Sequence, residues 1–256
     1  MRRLSGLLLL LALVATLLAA APAESDPEHS RPEHGRAATA AFESRVIGHT
    51  VKGRPIRAWH LGDPASPVKA VFIGTIHGNE GGPARILEDL RDGPPVSGAD
   101  VWVVPVLNRD GYARHTRRNA RGVDLNRNFP VRWIRQHGSY DSGRRRASEP
   151  ETRATMRFLR AVQPSYVVGF HQPLHGVDNS YAKARPFAVL LSQDLGLPLK
   201  VFRCNHGCHG TMTQWFNKHH KGAAITVEYG STARSLKAMK GHDANAVLAA
   251  IGGHRA

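Results

Sequence analysis

His77 and Glu80 stand in an H-x-x-E arrangement directly after the apolar run VKAVFIGTI. A turn there can aim an imidazole and a carboxylate at one point, and Gly78, Gly81 and Gly82 let the backbone approach closely. Zinc in hydrolases commonly takes three protein ligands, often two histidines and a glutamate, and keeps a position for water. His171, after the run YVVGF, can supply the third ligand. His175 stands close by, so spacing alone does not decide between them. His171 is preferred because it lies at the strand end, whereas His175 lies beyond Pro173 on a loop. Glu228 ends AITVE, a run of small and β-branched residues. Desolvation there raises a carboxyl pKa and suits it to exchange protons near neutral pH. An isolated H-x-x-E arises often by chance, so the weight falls on whether these residues converge.

Convergence needs a frame. Arg45–Thr50 and Pro55–Leu61 read as two strands of a hairpin around Lys52-Gly53. Val68–Ile76 and Val101–Val106 read as buried strands, and Ser165–Phe170 and Ala223–Glu228 as two more. Helices are expected over Gly81–Leu90 (Pro83 in its first turn), Ala184–Leu195, Thr211–His219 and Ser235–Ile251. Another opens at Ser148 with a capping-box pattern, Ser148 with Glu151. Asn108 to about Ala147 is Arg- and Gly-rich with little periodicity, which suits a functional loop. Strands separated by helices imply an α/β three-layer sandwich with a mixed, largely parallel central sheet flanked by helices. Ligands in such folds gather at the carboxyl ends of strands, where His77, Asn108, His171 and Glu228 all fall.

The most specific segment is Gly122–Pro130, GVDLNRNFP. It resembles the substrate-carboxylate motif of the M14 zinc carboxypeptidases. The H-x-x-E at His77, NRDG at Asn108–Gly111, His171 and ITVEY at Ile225–Tyr229 occur in that family's order. The resemblance covers about Arg45 to Ser231. HQPLHG and CHGTMTQWF look most like the murein peptide amidase A branch, whose members cut the γ-D-glutamyl–diaminopimelate bond of cell-wall peptides. The resemblance implies one Zn2+ held by His77, Glu80 and His171, with Glu228 as general base. It implies that Arg117 steadies the developing oxyanion, with Arg118 adjacent as the alternative. It implies that Asn126 and Arg127 grip the substrate's terminal carboxylate. The motif departs from the usual NPDG by placing Arg109 where proline stands, one more positive group near the expected entrance. The mobile tyrosine of the digestive enzymes has no clear equivalent between Cys204 and Ala224, where His206, His209 and Thr211 stand.

The chain of 256 residues has room for one sizeable domain. Residues 1–23 have the layout of a signal peptide: Arg2-Arg3, an apolar run from Leu7 to Ala21, then small residues. The apolar run falls short of the roughly 20 residues of a spanning helix. Residues 24–41 read as a disordered leader and 42–256 as the catalytic domain. The expected location is therefore secreted or in the cell envelope. Lys and Arg number 35 against 20 Asp and Glu, a net charge of +15 that favours an anionic partner. An exported chain without an aromatic-interleaved basic stripe suits a peptide, a muropeptide or an anionic cell wall better than nucleic acid. Cys204 and Cys208 are the only cysteines, and in an oxidising compartment a disulfide is preferred to a second metal site. Three functions remain open: a secreted peptidoglycan amidase, a metallocarboxypeptidase acting on protein-derived peptides, and a non-catalytic binder of anionic wall polymer.

Overall fold

The apolar runs lie side by side as strands of one sheet. The computed structural model describes residues 41–203, 208–231 and 238–256. Its strands are β1 (Ala41–His49), β2 (Pro55–Gly62), β3 (Lys69–Ile73), β4 (Val96–Ser97), β5 (Asp100–Val104), β6 (Tyr166–His171), β7 (Leu174–Asp178), β8 (Leu199–Lys200), β9 (Ala223–Gly230) and β10 (His254–Arg255). The α-helices are α1 (Ala84–Asp92), α2 (Arg109–Tyr112), α3 (Pro150–Val162), α4 (Arg185–Leu195), α5 (Met212–His219) and α6 (Ala244–Ala249). Eight strands form the sheet in the order β1-β2-β5-β3-β6-β9-β7-β8, and β4 pairs with β10 apart from it. Strands β5, β3, β6 and β9 are parallel neighbours, while β1, β2 and β7 introduce antiparallel pairs.

Side-chain alternation sends successive residues of a strand to opposite faces. Phe72, Phe170, Ile225 and Val227 pack on one face with Leu87 of α1, Leu191 of α4 and Val247 of α6. Ile73, Val167 and Ala224 pack on the other with Leu159 of α3 and Trp215 of α5. The result is the helix–sheet–helix sandwich expected from the sequence. Each fully buried large apolar side chain contributes roughly 1.5–3 kcal/mol.

Several local expectations are corrected. Strand β3 stops at Ile73 because the chain bends at Gly74 and Thr75. A Cβ on Gly74 would lie 2.6 Å from the Pro105 carbonyl oxygen, and Thr75 takes a positive φ of 51°. The capping box at Ser148 does not form. Pro150 occupies the first turn of α3 and Glu149 takes the cap position without a side-chain cap bond. The Glu151 carboxylate instead accepts from Val51 N at 3.1 Å and from Asn119 Nδ2 at 3.2 Å. A capping box does form at the start of α5, between Thr211 and Gln214. The last helix is in part a π-helical stretch, Ala238–Asp243, running into α6, while residues 232–237 fall outside the described region. The segment after Pro173 is strand β7 rather than a loop. The expected signal segment and almost all of the leader also fall outside the described residues. Strand β1 begins at Ala41, one residue before the expected domain start.

Candidate metal centre and catalytic cleft

Two loops and one strand end build the centre. The bend at Thr75 delivers His77 and Glu80 ahead of α1. A β-branched residue at positive φ is uncommon and costs energy, so the surrounding contacts must hold it. Asn108 does much of that holding. Its Nδ2 donates to Ile76 O at 3.3 Å and Arg117 O at 3.2 Å, and its Oδ1 accepts from Gly111 N at 2.9 Å. Gly78 lies against the Gly111–Tyr112 backbone so tightly that a Cβ would come within 2.1 Å of it. Asn108 thus does not line the cleft; it ties the His77 loop to the loop bearing Arg117. His171 is the last residue of β6, and the β6–β9 register pairs it with Glu228.

The ligand atoms of His77, Glu80 and His171 lie within 4.8 Å of one another, and all three residues are buried. His77 Nδ1 lies 2.9 Å from Glu80 Oε1, and His171 Nδ1 lies 3.0 Å from Glu80 Oε2. The two Nδ1 atoms are 3.2 Å apart. Donors at about 2.0–2.1 Å from a tetrahedral zinc are separated by roughly 3.3 Å, so this donor set fits the metal in spacing and in kind. His175 is exposed at the other side of a short turn, has a positive φ of 53° and does not line the cleft. The choice of His171 that spacing left open is made by geometry.

Asp124, from the GVDLNRNFP segment, stands behind the donors. It is fully buried. Its Oδ1 lies 3.1 Å from His77 Nε2 and accepts from Asn126 N at 2.9 Å, and its Oδ2 accepts from Arg117 Nε at 2.9 Å. A carboxylate on Nε2 fixes the tautomer that leaves Nδ1 its lone pair. Burial works to raise the Glu80 and Asp124 carboxyls. The facing imidazoles, joined at Asp124 by Arg117 and Arg127, outweigh burial and hold both well below the usual carboxylate range. Burial likewise opposes the His77 imidazolium, but Asp124 and Glu80 raise its pKa on balance. The centre is built for a positive charge. Glu228 behaves in the opposite way: it is 8% exposed, and burial pushes its carboxyl up. Leu174 N donates to its Oε2 at 3.3 Å.

The facing wall carries Arg117, Asn126 and Arg127. Arg117 also donates to Glu80 Oε1 at 3.2 Å. Arg118 turns away to Gly138 O at 2.9 Å, so Arg117 is the arginine at the centre. Arg127 is buried and donates to Asn126 O at 2.8 Å, while Asn126 Oδ1 accepts from Met212 N at the start of α5. The guanidiniums of Arg117 and Arg127 both lie over the Tyr140 ring, at 5.3 and 5.4 Å. Together these groups line one cavity of about 620 Å3, a volume suited to a peptide fragment. Arg109 does not stand at its entrance; its guanidinium donates to Pro55 O at 3.1 Å. Cys208 lines the cavity, but Cys204, and with it the expected disulfide, lies outside the described residues, as does His206.

Sequence reasoning did not single out Asp124, Tyr140, Asp178 or Tyr181, all of which stand in or behind the cleft. Asp124 had a signal, its place inside the most specific motif. The two tyrosines come from segments outside the 204–224 interval: Tyr140 ends a short 3-10 turn, Gly138–Tyr140, and Tyr181 follows β7.

A family profile described as zinc carboxypeptidase, peptidase M14, matches residues 95–185. The chain belongs to this family, and its fold and buried His-Glu-His group are those of a metallopeptidase. It is 31% identical over 200 residues to murein peptide amidase A of Escherichia coli K12, covering 71% of this chain and 79% of the relative. The corresponding protein of Vibrio campbellii is 27% identical over 211 residues, covering 77% and 83%. The crystal structure of murein-tripeptide amidase MpaA from Escherichia coli O157 superposes with a TM-score of 0.66 at 27% identity, covering 84% of this chain and 93% of that one.

Proposed function

We propose that the chain is a secreted zinc metallopeptidase that hydrolyses the γ-D-glutamyl–meso-diaminopimelate bond of cell-wall peptides. The observation that carries the reading is the cleft itself. It sets a buried His-Glu-His donor group beside a desolvated Glu228 and across from a buried arginine, in a chain similar over most of its length to murein peptide amidases A.

His77, Glu80 and His171 would hold the zinc, which when bound acidifies water and polarises the scissile carbonyl. Glu228 takes a proton from the attacking water and passes it to the departing amine nitrogen, so the C–N bond breaks to an acid and an amine. Its raised pKa brings its two protonation states closer in energy near neutral pH, which both transfers need. Arg117, fixed by Asp124 and Glu80, offers a positive group to the carbonyl oxygen as charge grows on it. Asn126 and Arg127 receive the free carboxylate beside the bond, the arginine in two-point fashion. Residues 1–23 direct export, a Cys204–Cys208 disulfide closes the loop ahead of α5, and the net charge of +15 holds the enzyme near anionic wall polymer.

The test is mass spectrometry of a muropeptide digest with zinc-loaded protein, with and without a chelator. Release of diaminopimelate-bearing fragments that stops on chelation supports the reading. Untouched muropeptides alongside trimmed L-peptides would replace it with a general metallocarboxypeptidase. Binding to wall polymer without turnover of either would reduce the chain to a binder.

A further inference from the structure

The cleft continues past the metal donors along the sheet face that His171 and Glu228 share. Alternation decides which residues line it. On β9, Ile225 and Val227 pack with α1, α4 and α6, so Thr226 and Glu228 face the cleft. On β7, Val177 packs with the same helices, which turns Gly176 and Asp178 to the cleft side. Gly176 pairs with Glu228 and Val177 with Val227. The next residues along, Asp178 and Thr226, both line the cleft. Two residues of strand separate this rung from Glu228, about 7 Å. A trough therefore runs from the proton-carrying carboxylate down to a second one.

That second carboxylate is 8% exposed. Ser180 N and Oγ donate to Asp178 Oδ1 at 3.0 and 2.5 Å. Lys200 is its ladder partner on β8, yet the ammonium turns to Leu174 O at 3.0 Å. Among the described residues no cation forms an ion pair with Asp178. Glu80 and Asp124, by contrast, each meet Arg117. Burial accordingly pushes the Asp178 carboxyl up. In a chain carrying 35 Lys and Arg, a buried cleft carboxylate that meets no cation among the described residues, and that the proton transfers do not use, offers a place for a cation from outside.

We infer that Asp178 is a specificity-determining residue that receives the ammonium at the far end of a long side chain on the residue released by cleavage. The inference rests on the amide-hydrolase reading and assigns recognition of the released diamino acid to one residue. The spacing of about 7 Å from the Glu228 rung to the Asp178 rung suits the flexible stem of a lysine-like side chain. Arg132 and Arg203 also line the cleft and give a carboxylate at that far end a partner of the right sign. Diaminopimelate carries both groups there.

The experiment compares kcat/KM of zinc-loaded wild type and Asp178→Asn on two series. One is γ-D-glutamyl-X and the other an Nα-acyl-L-aminoacyl-X, with X diaminopimelate, lysine or norleucine. Asparagine keeps an acceptor for Ser180, so the turn is preserved. The wild type is expected to prefer lysine over norleucine by about 10–100-fold, the range of a hydrogen bond to a charged group. Asp178→Asn should bring that ratio close to one while leaving norleucine substrates within a few-fold. A uniform loss on all substrates would make Asp178 structural, and a wild-type ratio near one would overturn the inference. Failure of the γ-D-glutamyl series alone removes the muropeptide reading and leaves the ratio to be read in the other. If neither series turns over, calorimetric binding of free lysine against norleucine carries the same comparison, and equal affinities refute it.

Discussion

Asp124→Asn tests whether the residue behind the metal donors is part of the machinery. In the native protein its two oxygens serve His77 Nε2 at 3.1 Å, Asn126 N at 2.9 Å and Arg117 Nε at 2.9 Å. An asparagine has one oxygen and an NH2 group. Whichever way the amide turns, the NH2 confronts a donor, either Arg117 Nε–H or the protonated His77 nitrogen. Hydrogen bonds to charged groups are worth about 1.5–3 kcal/mol and neutral ones about 1, so each weakened contact costs roughly 0.5–2 kcal/mol. Outer partners of metal-bound histidines typically change affinity or activity by about 10–100-fold. At about 1.4 kcal/mol per tenfold, that corresponds to roughly 1.4–2.8 kcal/mol, the same scale as one or two weakened contacts. Zinc affinity, read by competition with a chromophoric chelator, should fall by about 10–100-fold. At saturating zinc, kcat/KM should remain reduced by about tenfold or more, because Arg117 loses its anchor. Unchanged near-ultraviolet circular dichroism confirms that the variant is folded. A folded Asp124→Asn protein with native zinc affinity and native kcat/KM would refute the reasoning.

Glu228→Gln should keep zinc yet lose about 100- to 10,000-fold in kcat, because the amide cannot carry the proton; equal turnover removes Glu228 from the chemistry. Arg127→Lys should raise KM by about tenfold and alter kcat less, since a point charge replaces the two-point fork; steady-state kinetics on one substrate checks this. Asp110 is fully buried: burial works to raise its carboxyl, but Lys52 N at 3.0 Å and Arg54 at 2.5 Å lower it on balance. A folded-state pKa below the ordinary value of about 3.9 means the stabilisation is full above that value and is lost as pH falls through the folded one. Arg54 is 41% exposed and screened, so Asp110→Asn should cost only about 1–2 kcal/mol at pH 7. The gap to wild type should close below about pH 4; denaturant melts with an equal gap at pH 7 and pH 3 would overturn this.

Much of the frame was legible because buried parallel strands leave long apolar runs. VKAVFI, VWVVPV, YVVGF and AITV each mark a strand of the central sheet. Strand-end position also pointed to His171 and Glu228, which the register pairs, and His77 reaches the same centre from the bend past β3. Asn108 shared that position and yet supports the loops, because a short polar side chain behind a strand end can equally satisfy backbone groups. Strand β7 was hidden because Pro173 precedes it and Gly176 stands in the middle of its five residues, LHGVD, so neither period nor propensity announces it. Asp178 was hidden with it. The Ser148 capping pattern misled because Glu151 finds partners across the fold in Val51 and Asn119, a tertiary preference that a local motif does not contain. Asp124 went unassigned because its work is done entirely through other residues.

The pairing of His171 with Glu228 makes the spacing of the hydrolytic groups a property of two neighbouring backbones near the middle of the sheet. Tyr140, Arg132 and Arg203, by contrast, ride on peripheral segments that no sheet ladder constrains. Swapping those segments for others of different length and polarity would redirect the enzyme toward new peptides while its reactive heart kept its dimensions. The scaffold thereby leaves part of the choice of bond to segments outside the sheet, while Asp178 on β7 ties another part of it to the ladder beside Glu228.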